Sequence, residues 1–154
     1  MRAVIQRVSS ASVESNGILT GSIGKGILIL LGIATADEKE DVIWLADKLW
    51  QMRIFPDHEE KMNLALKDID GEIMLISQFT LYASTKKGNR PSFLGSARPE
   101  QAIPLYEYFK TYLEKISSKE IKTGIFGADM KVSLLNDGPV TIIRKKNNSN
   151  GAQR

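Results

Sequence analysis

The chain has 154 residues, of which 42% are hydrophobic, and it carries 21 basic and 18 acidic side chains. This length suits one compact domain that buries roughly two-thirds of the surface its unfolded form exposes. The sequence has one histidine and no cysteine, which excludes disulfides, thiolate zinc sites and cysteine nucleophiles. No apolar run approaches the roughly 20 residues that span a bilayer, and the start of the chain is too polar for a signal peptide. We therefore expect a cytoplasmic protein without membrane contact, metal or cofactor.

The positive charge is concentrated at the end of the chain. Residues 144–154 contain four basic side chains and no acid, so residues 1–143 carry 17 basic and 18 acidic groups. A nearly neutral body argues against broad coating of nucleic acid, which depends on many phosphate contacts. We predict a single domain over residues 1–144 and a basic, disordered tail over residues 145–154, where Asn, Ser, Gly and Gln dominate.

The first part of the chain predicts strands followed by a helix. Residues 3–13 are rich in β-branched side chains, an Asn-Gly pair at residues 16–17 forms a hairpin-type turn, and residues 26–33 are apolar and bounded by glycine. Thr35 and Glu38 have the spacing of a capping box. Apolar residues then recur at helical spacing. They are Val42, Leu45, Ala46 and Leu49, with Trp44 and Trp50 beside them.

The second part predicts a buried strand, a helix and further strands. Residues 72–82 are continuously apolar and β-branched, as in a buried strand. Residues 83–95 form a loop, and Pro99 with Glu100 indicates the first turn of a second helix. The last strands are predicted at residues 121–124, 130–135 and 140–143, with a turn at residues 136–139. This order predicts an α+β domain with two main helices and a curved, largely antiparallel sheet that can close as a barrel.

The residues that enzymes commonly use for hydrolysis are nearly absent. A triad-type serine or threonine hydrolase needs a base, normally histidine, within hydrogen-bond reach of its nucleophile. The one histidine, His58, lies in an acidic loop, and we interpret it as a solvated side chain. No glycine-rich phosphate loop is present either. If the protein is an enzyme, its backbone and its substrate must supply most of the chemistry.

One short segment places polar side chains within the predicted apolar strand. Its residues are Ser77, Gln78, Phe79 and Thr80, and an unpaired polar group buried there would cost about 1 to 3 kcal/mol. The side chains therefore either bond to neighbouring backbone or water, or line a site. Thr80 without a nearby base is a poor nucleophile.

A second segment consists of Gly138, Pro139, Val140 and Thr141. An ordinary turn between strands explains a lone Gly-Pro pair. The bond before a proline can also adopt the cis form at a cost of only about 0.5 to 1 kcal/mol, and glycine permits the closest approach of backbone to a ligand. The residues alone leave both interpretations open.

Together the two segments match the signatures of the bacterial and eukaryotic-type D-aminoacyl-tRNA deacylases, an SQ-x-x-L strand and a GPVT turn. The chain resembles this family along its whole length, except for the tail. Further matching stretches lie at residues 4–8, 55–57, 61–64, 90–93, 127–130 and 136–137.

This resemblance implies a homodimeric, barrel-like fold with the active site at the subunit interface and the aminoacylated 3′ end of tRNA as substrate. The Gly138-Pro139 bond would be cis and would reach into the pocket of the other subunit, where its carbonyls meet the amino group of the substrate. An L side chain would point into this wall and a D side chain away from it, so chirality is selected by exclusion. Glycine has no side chain to exclude, so glycyl-tRNA would be a second substrate.

The family's roles carry over to matching residues of this chain. Ser77, Gln78, Phe79 and Thr80 would line the catalytic pocket, and backbone N–H groups near Phe79 and Thr80 would hold the developing oxyanion. Arg7 would support the Gly-Pro turn, whereas its alternative role is that of a surface arginine on an edge strand. Since the chain lacks a general base, the 2′-hydroxyl of the terminal adenosine would activate the attacking water.

The resemblance also suggests how the nucleotide is held. Phe126 and Met130 would flank the terminal adenosine, although their spacing alone suits the core. Lys86, Lys87 and Arg90 form a basic loop that either contacts phosphates or is simply solvated.

Two other functions stay open. A relative with the same fold removes L-alanine from threonine tRNA and has a trans Gly-Pro bond, but the intact SQFTL and GPVT segments argue against it. A non-catalytic protein that binds RNA ends is favoured by the missing acid–base residues and by the basic tail.

Overall fold

The structure is a computed structural model that describes residues 1–146, and these form eight strands, two α-helices and two 3₁₀ turns. The strands are β1 (Arg2–Ser15), β2 (Ile18–Ile23), β3 (Gly26–Gly32), β4 (Phe55–Pro56), β5 (Met62–Leu64), β6 (Glu72–Ser77), β7 (Lys122–Thr123) and β8 (Met130–Lys145). The helices are α1 (Lys39–Gln51) and α2 (Pro99–Ser117), and the 3₁₀ turns are Leu66–Asp68 and Phe79–Tyr82.

The domain extends slightly further than the sequence predicts. Lys145 ends β8, and Lys146 donates its backbone N–H to the carbonyl oxygen of Met1 (2.9 Å). These two residues therefore belong to the domain, although we placed them in the tail. The rest of the predicted tail lies outside the described residues.

Strand β1 pairs with three other strands of the sheet. It pairs antiparallel with β2, with β3 and, along its whole length, with β8. Asn16 and Gly17 join β1 to β2 with positive φ angles of 51° and 82°, as a tight hairpin turn requires. β6 pairs with β3, and β7 with β6, both in parallel. Gly21 of β2 lies close to Thr123 of β7, so the sheet nearly closes. The predicted α+β, barrel-like class is confirmed, although the sheet is mixed rather than largely antiparallel.

Apolar side chains cover both faces of the sheet. The larger cluster lies between one face and the two helices, and its fully buried members include Ile29, Leu45 and Phe109. A smaller cluster lies on the opposite face and includes Leu28 and Met74. Successive strand residues point to opposite faces, so β3 and β6 are buried on both sides. This double burial explains their uninterrupted apolar sequences.

Each helix begins at a residue that suits a helix start. α1 begins at Lys39, and the N–H of Glu38 before it donates to the Oδ2 of Asp41 (2.8 Å). The predicted capping box of Thr35 with Glu38 is therefore wrong. The hydrogen bond at the start of this helix joins Glu38 and Asp41 instead. α2 begins at Pro99 as predicted, because the first turn of a helix does not need the N–H that proline lacks. Neither helix within residues 1–146 is long and apolar enough to cross a membrane.

Two segments near the predicted site differ from the sequence-based expectation. The strand predicted over residues 72–82 ends at Ser77, because its partner β3 ends at Gly32 and the ladder stops there. The turn predicted at residues 136–139 does not reverse the chain, because β8 pairs with β1 on both sides of it. Instead, residues 137–140 lie opposite the single residue Arg7, so four residues of β8 form a large bulge.

Candidate active site

The end of β6 turns into a 3₁₀ helix and leaves backbone donors near the surface. The N–H of Gln78 completes the ladder by donating to the carbonyl oxygen of Leu31 (2.8 Å). Phe79 and Thr80 begin the 3₁₀ turn, and the first N–H groups of a helical turn have no partner inside it. Among the hydrogen bonds within residues 1–146, none uses the N–H of Phe79 or of Thr80. Two neighbouring donors are therefore available to a ligand.

The side-chain contacts of this turn offer the hydroxyl of Thr80 no general base. The amide of Gln78 donates a hydrogen bond to the hydroxyl oxygen of Thr80, so this hydroxyl faces an amide donor rather than a proton acceptor. Phe79 is 56% exposed, and its ring packs edge-on against Phe93 with 5.1 Å between the centroids. His58 is exposed in the loop between β4 and β5. No described contact activates Thr80 as a nucleophile.

A small apolar cleft lies beside the 3₁₀ turn. It is lined by Leu31, Ile33, Ser77, Gln78, Phe79, Ser96, Ala97, Ala102, Phe126 and Gly127. The ring of Phe126 packs edge-on against Tyr106 with 5.6 Å between the centroids. Burial raises the pKa of Tyr106, so its hydroxyl stays protonated and donates to the carbonyl oxygen of Leu75 (3.0 Å). Phe126 thus forms a supported wall of the cleft.

Of the two residues expected to flank an adenosine, the structure brings only Phe126 to the cleft. Met130 does not line it. The sulfur of Met130 lies beside Gly124. Met130 packs against the smaller core cluster, whereas Phe126 packs against the larger one.

The second segment forms a bulge that projects from β8. Gly138 and Pro139 are exposed, and the peptide bond between them is cis. Gly138 has a φ of 142°, a conformation that favours glycine. A Cβ at this position would lie 2.8 Å from Cγ2 of Val140 and 3.0 Å from Nη2 of Arg7. A larger residue at position 138 would therefore have to displace its neighbours.

Two side chains hold the bulge at its base. Arg7 is 8% exposed, and it donates from Nε to the carbonyl oxygen of Asp137 (2.8 Å) and from Nη1 to that of Ile54 (2.7 Å). Asn136 closes the neck of the bulge. Its Oδ1 accepts the N–H of Val140 (2.8 Å), and its Nδ2 donates to the carbonyl oxygen of Val140 (3.4 Å).

Asn136 is a site residue whose contacts the sequence analysis missed. We noted it only within a matching stretch and within the predicted turn at residues 136–139. The available signal was an asparagine just before a Gly-Pro pair, because Asn side chains often bond to backbone a few residues away and replace ladder hydrogen bonds.

The bulge and the cleft of one chain are far apart. Leu31 of β3 pairs with both Ala3 of β1 and Ser77 of β6, whereas the bulge lies opposite Arg7. At about 3.3 Å per residue and about 4.8 Å between strands, the bulge is roughly 19 Å from Ser77 along the sheet. Consistent with this path length, none of residues 137–140 lines the cleft of the same chain.

The fold and the cleft define a small barrel-like α+β protein that presents main-chain atoms to its ligand. Comparison with known proteins gives the family. The family described as D-Tyr-tRNA(Tyr) deacylase matches residues 4–145, and the chain belongs to this family, as the sequence signatures predicted.

Individual relatives are similar over nearly the whole chain. A D-aminoacyl-tRNA deacylase of Flavobacterium johnsoniae is 57% identical over 148 residues, which cover 96% of this chain and 99% of that protein. A D-aminoacyl-tRNA deacylase of Akkermansia muciniphila is 58% identical over 142 residues, covering 92% of this chain and 95% of that protein. Among solved structures, the c-Myc DNA Unwinding Element Binding Protein matches with a TM-score of 0.90 and 39% identity, covering 96% of this chain and 100% of that chain.

Proposed function

We propose that the protein hydrolyses the ester bond between a D-amino acid and the 3′ end of tRNA in the cytoplasm. Its family and its 57% identity with a D-aminoacyl-tRNA deacylase support this activity. The observation that carries the proposal is the pair of N–H donors of Phe79 and Thr80 beside an apolar cleft. As water attacks the ester, its carbonyl oxygen gains negative charge, and two aligned backbone donors stabilise that charge.

The residues around the cleft take complementary roles in this proposal. Ser77 and Gln78 line the space next to the ester, and Gln78 also holds the hydroxyl of Thr80 in place. Phe126 offers its ring to the terminal adenosine. Met130, whose sulfur lies beside Gly124, does not line the cleft.

We further propose that the protein is a homodimer in which the bulge of each copy completes the cleft of the other. The path of roughly 19 Å along the sheet supports this arrangement, since the bulge does not line the cleft of its own chain. Exposed apolar residues on either side of the bulge also support it, because such patches mark interaction surfaces. They are Leu134, Leu135 and Ile143.

In this dimer the bulge selects the chirality of the substrate. The carbonyls of Gly138 and Pro139 would accept hydrogen bonds from the amino group of the aminoacyl ester. A D side chain then points away from the bulge, whereas an L side chain points into main-chain atoms that Arg7 and Asn136 hold in place. Glycine carries no side chain to exclude, so glycyl-tRNA is also hydrolysed.

We propose that the substrate contributes the group that activates water. The residues lining the cleft include no histidine, carboxylate or lysine, and the Thr80 hydroxyl is engaged by Gln78. The 2′-hydroxyl of the terminal adenosine lies next to the ester and can position the attacking water.

Two alternatives predict outcomes that differ from those of the proposed enzyme. A deacylase for L-alanine on threonine tRNA would hydrolyse L-alanyl-tRNA. A protein that binds RNA ends without hydrolysis would bind tRNA and leave every ester intact. The matching structure named as a DNA-binding protein makes nucleic-acid binding without hydrolysis worth testing directly.

Hydrolysis of D-tyrosyl-tRNA, L-tyrosyl-tRNA and glycyl-tRNA by the purified protein tests the proposal. We expect kcat/KM for the D-ester to exceed that for the L-ester by at least about 10²-fold, which corresponds to about 2.7 kcal/mol of transition-state discrimination. Glycyl-tRNA should also be hydrolysed. Loss of radiolabelled amino acid from each tRNA gives the three rates.

Two controls accompany this assay. His58→Ala should hydrolyse the D-ester at the wild-type rate, and a D-tyrosyl-tRNA ending in 2′-deoxyadenosine should be hydrolysed far more slowly. An inactive His58→Ala protein would contradict the mechanism, and equal rates on D- and L-esters, or none on either, would contradict the function.

A further inference from the structure

A second cleft lies on the other side of the 3₁₀ turn, under a basic loop. Ser84 and Ser92 exchange two backbone hydrogen bonds of 2.8 Å and close the base of this loop. The residues between them project into solvent. The cleft is lined by Tyr82, Ser84, Lys86, Lys87, Arg90, Ser92, Leu94 and Gly95; we call it the basic cleft.

The charge of this region contrasts with that of the rest of the domain. Residues 79–99 contain Lys86, Lys87, Arg90 and Arg98 and no acid, which leaves 13 basic and 18 acidic side chains in the rest of residues 1–143. None of the ion pairs within residues 1–146 involves the three cations of the basic cleft. No acidic side chain therefore competes with an anionic ligand for these three cations, although solvent screens each contact.

The floor of the basic cleft is supported from β1. The guanidinium of Arg2 lies over the ring of Tyr82, 4.4 Å from its centroid, and donates to the carbonyl oxygen of Leu81 (2.9 Å). Burial raises the pKa of Tyr82, and the nearby charge of Asp37 raises it further. The phenol therefore remains neutral and does not repel an anion. A fixed aromatic floor with cations and serine hydroxyls around it suits phosphate groups joined to sugars or bases.

We propose that the basic cleft binds the phosphodiester backbone of the single-stranded 3′ end of tRNA, next to the nucleotide whose ester is cleaved. This inference rests on the proposed deacylase function. Phe79 lines the small apolar cleft in which the ester would be cleaved, which we call the ester cleft. Tyr82 lines the basic cleft. These residues are the two ends of one 3₁₀ turn, which rises about 2 Å per residue, so their backbone positions are roughly 6 Å apart along it. An RNA strand whose end lies in the ester cleft would therefore pass the basic cleft next.

The test compares a substrate that has phosphates with one that has none. The triple variant Lys86→Gln, Lys87→Gln and Arg90→Gln is assayed on D-tyrosyl-tRNA and on the D-tyrosyl ester of adenosine. We expect the ratio of the two kcat/KM values, tRNA over adenosine ester, to fall about tenfold or more, chiefly through KM for tRNA. The dependence of log KM on log salt should also become shallower by about 2, because each phosphate that the protein no longer neutralises lowers the slope by about 0.7.

A matched control removes the same charge elsewhere. Lys25, Lys67 and Lys115 are exposed lysines outside both clefts, and their combined replacement by glutamine should leave the ratio and the salt dependence unchanged. If both triple variants weaken tRNA hydrolysis equally, net charge alone matters and the proposal is overturned.

Binding of uncharged tRNA separates this inference from the deacylase function. In filter binding at fixed salt, the Lys86, Lys87 and Arg90 variant should bind at least about tenfold more weakly than the wild type. Equal binding overturns the basic-cleft proposal, whatever the catalytic result. A wild-type protein that binds tRNA through this loop but leaves the D-ester intact overturns the deacylase function instead.

Discussion

Replacing Gly138 with alanine is expected to lower kcat/KM for D-tyrosyl-tRNA by about 10²-fold or more, while the protein remains folded. The φ of 142° disfavours any L side chain, and a Cβ would lie 2.8 Å from Cγ2 of Val140 and 3.0 Å from Nη2 of Arg7. The bulge must therefore shift, and misplacement by about 1 Å can cost 10²-fold in rate. Steady-state deacylation with thermal unfolding of the same samples measures both effects.

Gly17→Ala is the matched control for this variant. Gly17 also has a positive φ, of 82°, but its Cβ position has no atom within 4 Å, and it lies in the β1–β2 turn. Because an L residue in the left-handed region costs roughly 1 to 2 kcal/mol, its replacement should lower stability by about that amount and leave the rate unchanged. Full activity of Gly138→Ala would show that the bulge does not touch the substrate.

Arg7→Ala should reduce both stability and activity. Arg7 is nearly buried, and its loss leaves the carbonyl oxygens of Asp137 and Ile54 without their donors. Charged hydrogen bonds contribute about 1.5 to 3 kcal/mol each, so the loss of two should lower the free energy of unfolding by about 3 to 6 kcal/mol. Because the bulge loses its support, the preference for D- over L-tyrosyl-tRNA should also narrow. Urea unfolding and paired deacylation assays measure the two changes.

Two further arginine variants separate positioning from general destabilisation. Arg7→Lys keeps the charge but lacks the planar guanidinium that reaches two carbonyls. Its stability and its D/L preference should therefore lie between those of the wild type and of Arg7→Ala. Arg53→Ala removes an exposed arginine whose Nε donates to the carbonyl oxygen of Asn63 (2.8 Å), and it should leave the D/L preference intact. If Arg7→Ala loses stability but keeps the full D/L preference, Arg7 does not position the bulge.

Local sequence signals predicted the parts of the fold that depend on local interactions. Asn16 and Gly17 mark the β1–β2 hairpin, because few other residues adopt the required positive φ. Leu105, Phe109 and Leu113 recur at helical spacing and form the buried face of α2. In both cases the residues that determine the element are neighbours in the sequence.

The two site segments were harder to predict because partner strands determine their shape. Residues 79–82 are as apolar as the strand before them, but β3 ends at Gly32, so the chain turns and leaves the N–H groups of Phe79 and Thr80 without ladder partners. The Gly-Pro pair predicts an interruption. Whether the chain then reverses or bulges depends on β1, which is long enough to pair with both halves of β8.

Contacts between residues far apart in the sequence explain the remaining differences between the predicted and the observed site. Arg7 reaches Asp137 across 130 positions of sequence, and only the family resemblance suggested that contact. The cleft walls likewise come from separate elements, with Phe126 brought beside Ser77 by the return of the chain after α2. Such proximity is set by topology, which periodicity and turn signals do not encode.

Mixed dimers show whether main-chain atoms of one subunit complete the ester site of the other. Phe79→Pro removes one oxyanion donor at the first position of the 3₁₀ turn, where proline is tolerated, and Phe79→Ala keeps that donor as a control. Phe79→Pro and Gly138→Ala chains, each inactive alone, are unfolded together and refolded, and mass spectrometry counts the mixed dimers.

Each mixed dimer would contain one site with both defects and one site with none. Random mixing should therefore restore about one quarter of the wild-type rate on D-tyrosyl-tRNA in a twofold-symmetric dimer. If mixed dimers form and the rate stays at the level of the separate variants, each site lies within a single chain and the account is wrong.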